Sequence, residues 1–196
     1  MRSAPRFSIE PLMSRITSGK TVTSFRKDQV IFSDGDPSDS VFYIQNGTVK
    51  LTVTSEIGRE AIVAVLNGGS LFGENAVEAN PPRRSSRAIA LTDVRVWRIE
   101  PETMLRLIHR DPHACDAVIS YLLKLHARTQ GDLAYTLLYS SAKRLARALA
   151  SLAQLGGSSK SHAVLKLSQQ ELAGMVGLTR QRVNVLMKQF RKSGVH

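Results

Sequence analysis

Four polar side chains stand together near the C-terminus: Arg180, Gln181, Arg182 and Asn184. A guanidinium pairs bidentately with the two acceptors on a guanine edge, and Gln or Asn matches the donor–acceptor pair on adenine. Such groups in the first turns of one helix suit the reading of base edges in a major groove. A second set lies mid-chain, where Phe72-Gly73-Glu74 and Arg84-Ser85 bracket a short segment. A glycine followed by a helical turn presents backbone N–H groups to an anion, and a nearby arginine adds a fork suited to phosphate. A carboxylate such as Glu74 can accept a hydrogen bond from a sugar hydroxyl. Gly73, Glu74, Arg84 and Ser85 inside a small barrel therefore fit a sugar-phosphate ligand. An internal ion pair or a solvated loop would use the same residue types.

The base-reading set needs a helix to carry it, and the sequence supplies two. Ser168 is an N-cap with Glu171 three residues on, the pattern of a capping box. Leu172, Ala173 and Val176 give the first helix one apolar face, and Gly177 marks a sharp turn. Leu178 fills the corner and Thr179 is a second N-cap. Val183, Leu186, Met187 and Phe190 form the inner stripe of the second helix, which ends near Gly194. The spacing predicts a helix-turn-helix. It leaves Arg180, Gln181, Arg182 and Asn184 outside or beside the buried stripe, with Ser168, Thr179, Lys188 and Lys192 as further DNA-contacting candidates. An ordinary helical hairpin with a basic face is the plainer alternative.

Charge follows the same division. The chain has 196 residues and a formal charge of +11. From Ser140 onward ten Lys and Arg face a single acid, Glu171, so this segment carries +9 of that total. A polyanionic partner is expected at this end, namely double-stranded DNA.

Upstream, the hydrophobic period changes twice. Residues 1–24 read as an amphipathic lead-in with Ile9, Leu12, Met13 and Ile16 at helical spacing. Strand-like runs follow at Gln29–Phe32, Val41–Gln45, Thr48–Ser55, Glu60–Leu66, Arg87–Leu91 and Val94–Ile99, punctuated by turn residues. Asn46-Gly47 between two such runs predicts a hairpin. Short antiparallel strands in this number indicate a sandwich or barrel. A helix from Pro101 to about His109 is followed by a long one from His113 to about Leu138. Val118, Leu122, Leu125, Thr129, Leu133 and Thr136 recur along the latter in steps of three or four. This is a seam for a partner helix, and a homodimer is expected because helix-turn-helix proteins read paired half-sites. Ala142–Leu155 is a further helix, and Ala163–Leu167 reads as a short strand.

The expected class is α+β, with an N-terminal antiparallel β jelly-roll or barrel, a long dimerisation helix and a C-terminal helix-turn-helix domain. The expected division is a sensing domain at 1–110, a dimerisation helix at 111–139 and a DNA-binding domain at 140–196. One cysteine, Cys115, excludes an intramolecular disulfide and a four-cysteine metal site. No apolar run reaches membrane-span length and no signal-peptide core follows Met1, so a cytoplasmic protein without membrane contact is expected. No residues with catalytic spacing stand together, and a non-enzyme is expected.

Taken together, the turn glycines Gly35, Gly47 and Gly73, the Phe72-Gly73-Glu74…Arg84-Ser85 cassette, the run Thr92–Ile99 and the terminal helix pair resemble the CRP/FNR family of bacterial transcription regulators. The resemblance covers almost the whole chain. It implies a cyclic-nucleotide-binding-like barrel and a winged helix-turn-helix, with cAMP or another cyclic nucleotide as effector and RNA polymerase as a further partner. In cAMP-dependent members the Glu holds the ribose 2′-hydroxyl, the Arg and Ser hold the cyclic phosphate, and a Thr on the long helix reaches the adenine. Glu74, Arg84, Ser85 and Thr129 match those positions. A regulator needing no ligand, a haem-based gas sensor using His109, His113 or His126, and a nucleotide-binding module of an enzyme or channel are the alternatives. No metal is expected in the leading reading. The family's wing would follow the recognition helix, whereas the sequence stops at His196, so Ala163–Leu167 is expected to lack strand partners.

Overall fold

The structure is a computed structural model that describes residues 9–77, 83–157 and 167–192. Among the described residues eight strands form two four-stranded antiparallel sheets. One has the order β1-β8-β3-β6 (Lys20–Phe25, Val94–Ile99, Val41–Asn46, Leu71–Phe72). The other has the order β2-β7-β4-β5 (Val30–Phe32, Arg87–Ala90, Thr48–Thr54, Glu60–Asn67).

Alternation along the strands builds the core between the sheets. Phe42, Ile44, Phe72, Val94 and Val96 from the first sheet meet Phe32, Val49, Leu66, Ala88 and Ala90 from the second. Phe32, Phe42 and Phe72 stack on one another with ring centroids 5.0–5.9 Å apart. Outside the first sheet a second cluster joins Met13, Tyr43, Leu71 and Ile99 to Met104 and Ala114. It seats α1 (Glu10–Ser14), α2 (Pro101–Arg110) and the start of α3 (Pro112–Leu138). A third cluster, with Leu145, Leu172, Val176, Val183 and Leu186 among its members, unites α4 (Ser141–Gly157), α5 (Gln169–Val176) and α6 (Arg180–Lys192).

Two expectations need correction. Asn46-Gly47 is not a hairpin: β3 and β4 lie in different sheets, and this dipeptide is the corner where the chain crosses between them. Gly47 has φ +91°, and a Cβ there would collide with the Asp93–Val94 backbone, so glycine is required by the close approach as well as by the turn. The hairpin is instead β4–β5, closed at Ile57-Gly58, where the Ser55 N–H donates to Arg59 and the Gly58 N–H to Ser55. The lead-in is also shorter than expected. Lys20–Phe25, with β-branched Thr21, Val22 and Thr23, pairs along the edge of β8 instead of continuing a helix. A five-residue α1 gains little from helix propagation, whereas the open β8 edge offers a full ladder. The two-residue strand β6 was too short to show a period. Of the expected strand Ala163–Leu167, all but Leu167 lies outside the described residues.

α3 extends past the barrel with much of its apolar face uncovered in the single protomer. Leu122, Leu123, Leu133 and Leu137 are all exposed, Leu137 to 73%. Replacing Phe72 by alanine should remove the centre of the ring stack. A loss of about 3–5 kcal/mol of unfolding free energy is expected, read from urea denaturation followed by tryptophan fluorescence.

Candidate effector cavity and nucleic-acid interface

Between the sheets and the cassette lies a cavity of about 230 Å³ lined by Phe32, Leu51, Val53, Val63, Gly73, Glu74, Asn75, Arg84, Ser85 and Ser86. Four of the five ligand candidates read from the sequence thus converge on one space. Arg84 is 4% exposed. Its Nη2 donates to the Ser40 carbonyl at 2.8 Å and to the Ser40 hydroxyl at 3.1 Å, and its Nη1 to the Gly73 carbonyl at 3.1 Å. The guanidinium lies 4.3 Å from the Phe32 ring centroid and 5.4 Å from that of Phe42. Its Nε is buried without a hydrogen-bond partner among the described residues. The nearest counter-charge is Asp39, 3.6 Å away and itself mostly in solvent, shared with Arg98 at 2.7 Å. Burial pushes the Arg84 guanidinium below its ordinary value, with Asp39 opposing. Burial also works against ionisation of Asp39, but bonds from Ser40 and Arg98 and the charges of Arg98 and Arg84 outweigh it and hold that carboxyl below the usual range.

Gly73 makes this packing feasible. Its φ is +76°, and a Cβ would sit 2.5 Å from Arg84 Nη1, so any side chain would push the guanidinium out. Glu74 opens a 3-10 turn, Glu74–Val77, and Asn75 donates to the Ser85 hydroxyl at 3.0 Å across the cassette. The arrangement is a desolvated cation at the end of an aromatic-lined pocket, with a carboxylate and a hydroxyl on its rim. It can receive an anion and the polar groups of a sugar.

Thr129 is not in this cavity. It lies on the exposed part of α3, where its hydroxyl donates back to the Leu125 carbonyl at 3.0 Å. It lines a separate cleft of about 490 Å³ between β5, α3, α4 and α5, beside Arg128, Asp132, Arg144 and Arg147. Sequence reasoning passed over three residues. Asp39 and Ser40 hold Arg84, but short polar residues in a loop carry no periodic signal. Tyr121 on α3 is the third: its hydroxyl accepts from the Leu71 N–H at 2.9 Å and donates to the Leu71 carbonyl at 3.1 Å. It completes the open edge of β6 two residues before Gly73 and so ties α3 to the cassette.

At the other end α5 and α6 meet through Gly177, which adopts the left-handed conformation at φ +64°. The capping box forms in full: Ser168 Oγ accepts from the Glu171 N–H, and the Glu171 carboxylate accepts from the Ser168 N–H. Thr179 Oγ1 accepts from the Arg182 N–H at 3.2 Å. Val183 and Leu186 are buried, and Met187 and Phe190 pack beside them. Arg180, Gln181, Arg182, Asn184, Lys188 and Lys192 are exposed, as are Ser168 and Thr179. Val185, 46% exposed, stands one turn beyond Gln181 amid these polar groups. An apolar residue breaking a charged face was the signal available for it. His109, His113 and His126 are exposed on α2 and α3, and among the described residues no three metal-ligating side chains cluster.

Residues 22–111 match the model of the cyclic nucleotide-binding domain, and residues 143–196 match that of the Crp-like helix-turn-helix domain. The chain belongs to the CRP/FNR family of transcription regulators. A CRP-like cAMP-activated global transcriptional regulator of Mycobacterium tuberculosis is 27% identical over 190 residues, spanning 95% of this chain and 84% of that protein. The global nitrogen regulator of Synechococcus elongatus is 28% identical over 195 residues, spanning 95% and 87%. Among solved structures, the c-di-GMP responsive regulator CLP of Xanthomonas campestris superposes with a TM-score of 0.77 at 21% identity, covering 94% of this chain and 93% of that one. This CRP/FNR member is therefore a DNA-binding transcription regulator with a cyclic-nucleotide domain, not an enzyme. Among its described residues no helix is long and apolar enough to cross a membrane.

The base and phosphate contacts expected of α6 from its sequence are separable by mutation. Arg180→Ala should cost about 1–3 kcal/mol at one base position of each half-site and relax specificity there. Lys188→Ala should weaken all duplexes alike and flatten the salt dependence of binding. Fluorescence-anisotropy titrations at several salt concentrations check both. Identical changes in the two variants would contradict the assignment.

Proposed function

We propose that this chain forms a homodimeric, sequence-specific regulator switched by a cyclic nucleotide, cAMP or a close relative, bound at Gly73, Glu74, Arg84 and Ser85. In this reading residues 1–110 sense, 111–139 dimerise and 140–196 bind DNA. The observation that carries it is Arg84: a charged group held out of water, whose Nε has no partner among the described residues and whose nearest described carboxylate, Asp39, is exposed and shared with Arg98. A buried guanidinium so poorly compensated is costly in the empty protein and is stabilised by an incoming cyclic phosphate. The cAMP-activated relatives in M. tuberculosis and in Pseudomonas aeruginosa support that ligand class.

Glu74 then accepts from the ribose 2′-hydroxyl, Ser85 donates to the phosphate, and the base points past Val63, which borders both spaces, toward the cleft that Thr129 lines. The ligand biases how α3 packs on its partner helix, and the junction at Tyr139–Ser140 passes that change to the basic domains. Two recognition helices enter successive major grooves about 34 Å apart. Arg180, Gln181, Arg182 and Asn184 read bases, Val185 meets a thymine methyl, and Ser168, Thr179, Lys188 and Lys192 contact the backbone. RNA polymerase is the partner such a regulator addresses at a promoter.

Calorimetric titration with cAMP, cGMP and c-di-GMP, alongside binding to an operator selected from a random duplex library, tests the switch. Arg84→Leu should weaken cyclic-nucleotide binding by about 2–5 kcal/mol. Thr129→Ala should cost about 1 kcal/mol and uncouple ligand from DNA. Equal operator affinity of the wild type with and without every nucleotide would overturn the cyclic-nucleotide switch.

The dimer is tested separately. Leu122→Asp with Leu125→Asp should yield monomers in sedimentation-velocity runs, because unpaired carboxylates would be buried in an apolar seam. A persistent dimer would place the interface elsewhere.

A further inference from the structure

Glu171 is the only acid in the 57 residues from Ser140 to His196, and it lies in the first turn of the helix that precedes the DNA reader. On a surface built to meet phosphates, a carboxylate opposes binding. Capping does not require it, since glutamine serves in a capping box as well. Its two oxygens divide their work. Oε2 accepts from the Ser168 N–H at 2.8 Å and from the Ser168 hydroxyl at 2.9 Å. Oε1 turns the other way and takes the ammonium of Lys50 at 2.7 Å, across to the β-barrel. Both side chains of this pair are largely buried, at 12% and 23% exposure. Burial pushes the Glu171 carboxyl up, yet the bonds from Lys50 and Ser168 and the Lys50 charge outweigh it and hold the carboxyl below its ordinary value.

The contact is wider than one ion pair. Along β4–β5, Lys50 and Thr52 face outward opposite Val65 and Ile62, while Val49 and Leu51 face the core. Thr52 and Val65 are nonetheless buried. α5 lies against β5 there: a Cβ built on Gly174 would stand 3.6 Å from the Glu60 carbonyl and from Ile62 Cγ1. The opposite face of the same hairpin contributes Leu51, Val53 and Val63 to the effector cavity. One two-stranded element therefore touches the ligand space with one face and the DNA-binding domain with the other. In this docked arrangement the whole reading set on α6 remains exposed.

From these features we infer that the Lys50–Glu171 pair and the Gly174–Ile62 contact form a clasp that holds the helix-turn-helix in its DNA-reading orientation and links it to the effector cavity through β4–β5. The inference rests on the proposed cyclic-nucleotide switch for its link to the ligand. Lys50, Glu171 and Gly174 are positioning residues, touching neither ligand nor base. A shift of Leu51, Val53 or Val63 on ligand entry moves Lys50 and Ile62 on the same strands, and with them α5.

The test compares the wild-type chain with Lys50→Met, Lys50→Arg, Glu171→Gln, the Lys50→Met/Glu171→Gln pair and Gly174→Leu. Met keeps the apolar stem of Lys50, Gln keeps the cap, and Leu wedges α5 from β5 without altering charge. Cyclic-nucleotide affinity should stay within about twofold of wild type, since none of these residues lines the cavity. The nucleotide-dependent gain in operator affinity should fall by about tenfold in Lys50→Met, Glu171→Gln and Gly174→Leu. The double variant should be no worse than either single one, and Lys50→Arg should retain most of the gain. Unchanged gain in Lys50→Met and Gly174→Leu overturns the clasp, as does a parallel loss of nucleotide affinity. If the wild type itself shows no gain, the switch has failed, and hydrogen exchange without ligand then judges the clasp alone. Faster exchange of β5 and α5 amides in Lys50→Met and Gly174→Leu supports it, and unchanged exchange refutes it.

Discussion

The barrel half of this molecule is organised around a guanidinium held out of water. Arg84 lies under the cassette with its plane near Phe32 and Phe42, and its protein hydrogen bonds run to Ser40 and the Gly73 carbonyl. Carbonyl dipoles and an aromatic face soften the desolvation of a cation, but they do not replace a counter-ion. Among the described residues its Nε finds no hydrogen-bond partner. Other features go with that constraint: a glycine at 73 because a side chain there would displace the guanidinium, the rings of Phe32 and Phe42 beside it, and an acid at 39 at arm's length.

The output half is arranged around a different electrostatic demand. A segment carrying +9 of the chain's net charge of +11 must fold while leaving the polar face of α6 in solvent. The third cluster meets this by sequestering Val183 and Leu186 while the basic and amide side chains of α6 remain in solvent. Hydrophobic burial fixes the helix, and charge is confined to the face that burial leaves over. Tyr121 ties α3 to the barrel by completing the backbone bonding of Leu71, two residues before Gly73, and the β4–β5 hairpin, which lines the candidate cavity, packs against α5.

Much of this was legible in the residues. Helical spacing located α2, α3, α4 and α6 to within a few positions, and the Ser168–Glu171 pattern announced a capping box that forms as expected. These features are local, set by side chains three or four apart on one element. The cassette could be read because its residue types are unusual together, and its members Gly73, Glu74, Arg84 and Ser85 do line one space. Lys20–Phe25 was missed because a short β-branched run within a helical-looking lead-in becomes a strand only where an open edge is offered, here by β8. Asn46-Gly47 has hairpin chemistry but serves as a corner, since the same left-handed glycine closes either kind of turn.

The sequence by itself determined the periodicities, the caps, the charge division and the pair of helices at the C-terminal end, because each depends on near neighbours along the chain. Tertiary structure alone decided which strands share a sheet and that Asp39 and Ser40 stand behind Arg84. It also decided that Thr129 opens on a cleft away from the cassette, and that Glu171 answers a lysine 121 positions before it. Those are contacts between segments distant in sequence. Their partners are selected by shape and by the requirement that buried polar groups be satisfied, and no local pattern encodes that choice.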